Sequence, residues 1–513
     1  MKKITFQKDA REKLLRGINI LSDAVGGTMG AHGQTVIYQY GGESNGIPLV
    51  TKDGVTVADN IELEDPVENL GVSIVKDAAR KTAKKAGDGT TTSTVLAASI
   101  LNKSLNGTLN SKRDFIRGME AARERVLEYL DKTSVDVDDE TIDFVASIST
   151  NSDPELGPII SEAFKSVGEY GNVWYEPNFA GVETYSSIES GAVVPRGNMD
   201  PGFINNTASG TCDLENPLIF LSTSKIDSPR QIKDILENAV TNKRALLIIA
   251  DVEPQVSTVL LANKMNNGYK FNIIPMPHVG IIARETMEDI AALVGAKLHG
   301  VHLGDAAESI TADMCGEADF VQSDLKNTVI RIKERVDLTE HIDALQSSID
   351  NEGNPDRVKQ LRARLAMIAG GVAMVYVGAP SEGELKEKMD RVEDAIYAVR
   401  AAKEEGILPG GGVALRDAAA SIKSPDGDDD YVLGFNMLLE AVLEPYHKIL
   451  SNADLKAPEG LKEGWGVNVI NGKKVSMNEE GIIDPTRATK EALINAVSVS
   501  KTILSTGVTI NNV

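Results

Sequence analysis

Asp88 stands between two glycines and ahead of three threonines in Gly87-Asp88-Gly89-Thr90-Thr91-Thr92-Ser93-Thr94. This string joins a metal-seeking carboxylate to hydroxyls and to the backbone N–H groups of a helix start. Such a start attracts anions, because its first N–H groups lack partners and the helix dipole is positive there. Asp88 would repel a phosphate unless a divalent cation bridged the two. The chemistry on offer is the holding of a metal-bound phosphate. In isolation the same string also reads as an N-capped helix with a threonine-rich first turn.

The elements that must position these residues are legible. Asp65 is a natural N-cap, Pro66 suits the first helical position, Glu68 completes a capping box, and Leu70, Ile74, Ala78 and Ala79 recur at helical spacing, so a helix is predicted from 66 to a stop at Gly87. A second helix runs apolar through Val95, Leu96 and Ile100. Helical periodicity also marks 8–25, the stretch on to 131, 383–405 and 486–505, with a strand-like run at Thr35 to Tyr38. The centre differs: Leu218 to Leu221, Ala245 to Ala250 and Phe271 to Ile274 are buried-strand runs between helical segments. A helix-rich α/β multidomain chain is expected, with a central α/β insertion in a helical body.

At 513 residues the chain is too long for one core. A net charge of −22 argues against nucleic acid or an anionic membrane as partner. Cys212 and Cys315 read as reduced thiols, and neither a signal peptide nor an apolar run of membrane length is visible, so a cytoplasmic protein is expected. There is no Walker A string, zinc pattern or nucleophile triad; His278, His299 and His302 read as structural, and Lys423 to Asp430 as a solvated acidic loop.

Further strings extend the first: Thr51-Lys52-Asp53-Gly54 upstream, then Arg391-Val392-Glu393-Asp394, Pro409-Gly410-Gly411-Gly412-Val413 and Ile482-Ile483-Asp484-Pro485-Thr486 downstream. In this order they resemble the group I chaperonins, ATP-driven ring-shaped folding machines, from near residue 4 to about 508. The resemblance implies an equatorial domain from 1–133 and 406–513, an intermediate domain from 134–190 and 372–405, and an apical domain at 191–371. Hinge glycines are matched by Gly191 and by Gly370-Gly371.

By the same resemblance Asp88 is the magnesium ligand, and Gly89, Thr90, Thr91 and Thr92 supply donors to the phosphates of ATP. Asp394 orients the attacking water and Asp53 is a second catalytic acid. Val392, Ile396 and Val399 mark the buried side of the Asp394 helix, leaving Asp394 on another face. Thr28, Met29 and Gly30 resemble the first phosphate loop, Gly411 and Gly412 approach the ribose, Asp484 accepts from its hydroxyls, and Asn468 and Ile482 border the base. Potassium is allowed near Thr28, Lys52, Asp88 and Thr91. The family's usual proline and lysine are replaced by Ala31 and His32.

Non-native polypeptides are the implied clients, captured on apical helices at Pro229 to Val240 and Pro254 to Met265. There Phe203, Leu236 and Leu261 are large and apolar, whereas Asn198, Gly202, Lys233, Ser257 and Ala262 weaken the collar and leave a co-chaperonin lid uncertain. A homo-oligomeric ring, a heptamer by the resemblance, would close through the segments around Lys3 to Phe6, Thr35 to Tyr38 and Gly507 to Asn511. The altered collar and phosphate loop, Asp136 in place of a hinge proline and the absence of a Gly-Met tail after Val513 point to a divergent, phage-encoded member acting in host cytoplasm. Two other readings stay open: a scaffold ring without turnover, and a small-molecule phosphotransferase.

Overall fold

The computed structural model describes residues 2–39, 48–104, 110–150, 153–167, 172–178, 181–189, 191–207, 210–300, 304–305, 310–332, 338–369, 372–427 and 429–512. Gly370, Gly371 and His302 lie outside the described residues. The chain forms two compact units, Met1–Pro158 with Lys386–Val513, and Ile159–Leu385.

The first unit is a helical body. Helices Gln7–Gly26, Pro66–Ala86, Thr90–Ser104, Lys112–Thr133, Asp430–Ala441 and Thr486–Ser505 enclose one apolar core that includes Leu14, Ile18, Val75, Leu96, Met119, Leu438 and Leu493. Glycine inside a helix costs about 1 kcal/mol relative to alanine, yet Gly118 and Gly434 are needed where their helices cross. A Cβ on Gly118 would fall 1.8 Å from the Tyr431 carbonyl oxygen, and one on Gly434 2.0 Å from that of Phe115.

The helix predicted from Pro66 spans Pro66–Ala86, capped by Asp65, which accepts from Val67 N–H at 2.8 Å and Glu68 N–H at 3.3 Å. The Glu68 carboxylate pairs with Arg16 at 3.1 Å. At the chain ends, Lys2–Phe6 pairs antiparallel with Val508–Asn512, and Val36–Gln39 pairs with Pro48–Thr51. Segments expected to take part in ring closure thus have partner strands within the chain. Both ribbons still present exposed apolar side chains, Ile4, Phe6 and Ile510 on one and Ile37 and Val50 on the other.

The second unit is α/β. Phe271–Ile274, Leu246–Ile249 and Leu218–Leu221 lie parallel in that spatial order, with Gly316–Glu317 antiparallel at the edge. All three expected buried strands are present, and their side chains alternate between two cores. Phe220, Leu246, Ile248 and Ile273 face helices Lys233–Thr241 and Pro254–Asn267. Ile219, Leu221, Leu247 and Ile249 pack with residues of helices Gly280–Val294, Thr339–Asn351 and Pro355–Ala369. A second antiparallel sheet orders Gly191–Val194, Thr328–Arg331, Phe320–Ser323 and Cys212–Glu215. Gly191 sits in that sheet at a close approach, since a Cβ there would fall 2.1 Å from the Ile330 carbonyl oxygen. Cys212 and Cys315 are free. His299 is buried and bonded to the Ser222 hydroxyl at 2.9 Å. Among the described residues no helix is long and apolar enough to cross a membrane.

Candidate active site

Two left-handed glycines make the turn around Asp88. Gly87 (φ 71°) stops the Pro66–Ala86 helix, its N–H donating to the Ala83 carbonyl at 2.8 Å, and Gly89 (φ 85°) precedes the next helix. Alanine or larger residues resist this conformation. The ladder of Thr90–Ser104 opens with Ser93 N–H donating to the Gly89 carbonyl at 2.9 Å. The N–H groups of Thr90, Thr91 and Thr92 thus form the donor-rich first turn. Gly89 N–H donates to Asp88 Oδ1 at 2.5 Å, which orients the carboxylate at this helix start.

Asp53 caps the short helix Gly54–Asp59, accepting from Val55 N–H at 3.3 Å and Thr56 N–H at 2.7 Å. Gly54 is pressed against the threonine turn: a Cβ on it would fall 2.1 Å from Thr91 Oγ1 and 3.4 Å from Val25 Cγ1. That contact sets Asp53 beside Thr91. Lys52, next in the chain, is exposed. Asp394 lies on helix Glu382–Glu405, where Val392, Ile396 and Val399 are buried and Asp394 is exposed, as their spacing predicts. One turn on, Tyr397 covers Gly87. One turn back, Arg391 pairs with Asp153 at 3.0 Å and Lys388 with Glu155 at 3.4 Å.

The opposite wall comes from the C-terminal part of the unit. Ile407–Pro409 pairs with Ile483–Pro485, setting Leu408 opposite Asp484, and Gly411 N–H donates to the Asp484 carboxylate. Gly411 and Gly412 have φ of 64° and 75°. A Cβ on Gly412 would fall 2.6 Å from Tyr446 N. Ile482 packs on an apolar cluster of Val413, Tyr446, Leu450 and Met477. Asn468 ends strand Trp465–Asn468 and donates to Glu480 at 3.1 Å. Thr28, Met29 and Gly30 follow the end of helix Gln7–Gly26, with Thr28 Oγ1 donating to the Val25 carbonyl at 2.8 Å. Ala31 and His32 are exposed.

Electrostatics tie these acids together. Burial within the pocket walls, then the charge of Asp88 and of Asp53, pushes the Asp394 carboxyl up to about 8. Burial and then Asp88 push Asp484 up to about 7, against the Gly411 bond, and burial and then Asp53 raise Asp88. Solvent still reaches Asp88 and Asp394. The principal influences are burial and one another's charge, with the backbone N–H groups of Gly89 and Gly411 acting in the opposite direction. Carboxylates crowded in this way suit a cation. Among the described residues no group of three or more His, Cys, Asp or Glu is arranged to hold a metal by itself. The donor chemistry therefore fits a magnesium ion bound by one carboxylate and phosphate oxygens.

Asp53, Asp88 and Asp394 are thus within electrostatic reach of one another, and Asp484 within reach of Asp88. Sequence reasoning missed Asp390, one turn before Asp394, whose carboxyl is raised by burial first and also by the charge of Asp53; its spacing of four from Asp394 was the available signal. It missed Tyr397 as well, whose seat on Gly87 is decided by packing between distant parts of the chain.

The apical positions divide. Phe203 is 0% exposed, sealed in the core with Phe220 and Leu260, which corrects its assignment to a polypeptide-binding surface. Leu236 and Leu261 are half-buried against the same core. Asn198 is buried and donates to the Ser323 carbonyl at 3.0 Å, and Ser257 is buried too. Lys233 is exposed and pairs with Glu237 at 3.3 Å, while Gly202 and Ala262 are exposed. The large apolar side chains that reach solvent on helix Pro254–Asn267 are Met265, 83% exposed, and Val259, 38% exposed.

A sequence model of the TCP-1/cpn60 chaperonin family matches residues 21–512. Among solved structures, the chain is similar to the chaperonin gp146 from bacteriophage EL 2 (Pseudomonas aeruginosa), crystallised in the presence of ATP-BeFx. The identity is 22%, and 99% of each chain is covered. The TM-score is 0.79 against one crystal form and 0.68 against the other, a likeness of fold. With the family match running through nearly the whole sequence, this chain belongs to the TCP-1/cpn60 chaperonin family.

Proposed function

We propose that this chain is the subunit of an ATP-hydrolysing ring chaperonin that binds non-native polypeptides and promotes their folding. The observation that carries the reading is the meeting of Asp53, Asp88 and Asp394 at the start of Thr90–Ser104, close enough for each to feel the others' charge. The gp146 crystals formed in the presence of ATP-BeFx support it by kinship. The proposed division is equatorial at 1–133 and 406–513, intermediate at 134–190 and 372–405, and apical at 191–371.

The first-turn N–H groups of Thr90 to Thr92 bind phosphate oxygens, and the Thr28–Gly30 loop closes on the same chain of phosphates. Gly411 and Gly412 let the backbone approach the ribose, Asp484 accepts from its hydroxyls, and Ile482 and Asn468 border the base. Asp88 would hold a magnesium ion, which would supply positive charge to offset both the phosphates and the carboxylates. Asp394, once deprotonated, accepts a hydrogen bond from the attacking water at a carboxylate oxygen and orients it towards the terminal phosphorus. Asp53, fixed by its capping bonds, adds a second acceptor for that water. A potassium ion near Thr28, Lys52, Asp88 and Thr91 would complete the charge balance.

On the apical unit, Met265 and Val259 with the outer edges of Leu236 and Leu261 offer apolar surface to unfolded chains without reading sequence. Assembly as a homo-oligomeric ring, a heptamer by the family resemblance, is supported by the exposed apolar ribbons at the chain ends and at Val36–Thr51. Phosphate release with and without a denatured protein tests the reading. Turnover coupled to refolding supports it, capture without phosphate release marks a scaffold ring, and transfer of phosphate to a soluble acceptor marks a phosphotransferase.

A further inference from the structure

The Thr28–Gly30 loop begins where helix Gln7–Gly26 runs out, and the carbonyls of Gly26, Gly27 and Met29 gather there. One side chain collects them. Asn452 Nδ2 donates to the Gly26 carbonyl at 2.9 Å and the Met29 carbonyl at 2.9 Å, and lies 3.5 Å from that of Gly27. An amide group has two N–H donors, so the two short bonds use both. Asn452 is the last residue of helix Glu444–Asn452, and the same helix supplies the floor of the loop. A Cβ on Gly30 (φ 83°) would fall 3.0 Å from Ile449 Cγ2, and one on Gly26 2.9 Å from Lys448 Cε.

The other end of this helix reaches the ribose-side glycines, through the backbone N of Tyr446 beneath Gly412. Six residues separate Tyr446 from Asn452, a rise of roughly 9 Å, comparable to the reach from a nucleotide's ribose to its outer phosphates. We propose that Asn452 is a positioning residue for the phosphates of the bound nucleotide. Helix Glu444–Asn452 is the rigid spacer that sets the first phosphate loop at a fixed distance from Gly411 and Gly412. This inference rests on the nucleotide-site reading above.

The test compares wild type, Asn452→Ala and the isosteric Asn452→Asp. It measures KM and kcat for MgATP, the melting temperature without nucleotide, and amide exchange at Gly33 and Gln34, whose N–H groups close the loop onto the Gly30 and Gly27 carbonyls at 2.8 Å each. Asn452→Ala is expected to raise KM roughly tenfold with kcat changed far less, the scale of one to two lost hydrogen bonds, and to speed exchange at both amides. Asn452→Asp sets a carboxylate against carbonyls and raises KM further at neutral pH. Its KM relative to wild type falls as the pH drops and the protonated carboxyl regains one donor. A fall in kcat alone, an unchanged KM, or a lowered melting temperature without a KM change overturns the proposal. Wild-type protein that binds no MgATP overturns the nucleotide-site reading itself, and the wild-type measurement alone reveals this.

Discussion

Tyr397 stands directly on Gly87: a Cβ added to Gly87 would fall 2.2 Å from Tyr397 Cβ. The contact joins the helix that carries Asp394 to the turn that carries Asp88. It makes the distance between Asp394 and Asp88 a matter of backbone packing. Gly87→Ala meets both this clash and a left-handed φ of 71°. The expected outcome is a fall in kcat of about 10²-fold, the scale of a misplacement of about 1 Å, with MgATP affinity largely kept. Steady-state phosphate release checks it.

Asp394→Ala removes the acceptor for water and leaves the phosphate loop intact. Phosphate release should drop roughly 10²-fold or more while MgATP still binds. Asp88→Ala should instead weaken magnesium-dependent nucleotide binding. Calorimetric titration with and without magnesium separates the two, and equal MgATP affinity in Asp88→Ala and wild type would remove the metal role.

The raised carboxyls give the nucleotide-free protein a pH signature. Burial and neighbouring carboxylates push Asp394 up to about 8 and Asp484 up to about 7 in the fold, against 3.8 ordinarily. Between those values the folded chain holds protons that the unfolded chain releases, so stability falls as the pH rises from about 4 to about 8. Asp394→Asn removes one such proton and should flatten the decline, gaining on wild type most at the alkaline end. Urea midpoints across this range measure it. Proton release on MgATP binding near neutral pH, read from buffer-dependent heats, is expected from the same groups.

Burial separates two apical variants. Phe203→Ala opens a cavity in a sealed core and should cost about 3–5 kcal/mol of stability. Replacing Met265 and Val259 together with serine should cut capture of a denatured protein with little change in melting, because both side chains already reach solvent. Aggregation suppression and thermal unfolding, measured side by side, distinguish the effects.

Ile37→Asp puts a charge on an exposed apolar ribbon. The expected result is loss of the ring in favour of smaller species in solution, with the far-ultraviolet spectrum unchanged.

What could be read from sequence was local. Asp65, Pro66 and Gly87 marked both ends of a helix because caps satisfy backbone groups within a few residues of themselves. Val392, Ile396 and Val399 marked a buried face, and the strand runs at 218–221, 246–249 and 271–274 marked a sheet, because side-chain period follows backbone geometry. Those same rules put Asp394 on an open face. The ordered strings around Asp53, Asp88, Asp394 and Asp484 named the candidate acids.

Tertiary structure alone decided what depended on distant partners. Phe203 looked like a binding residue and is core, since burial is set by the helices and strands that close over it. Lys2–Phe6 found its strand partner about five hundred residues away. Asn452 became the clasp of the Thr28–Gly30 loop because its two donors happened to meet carbonyls from the other end of the sequence. Hydrogen bonds and close packing act over a few ångströms of space regardless of separation along the chain. A single sequence therefore determined the elements and their chemistry, and only the fold determined which of them meet.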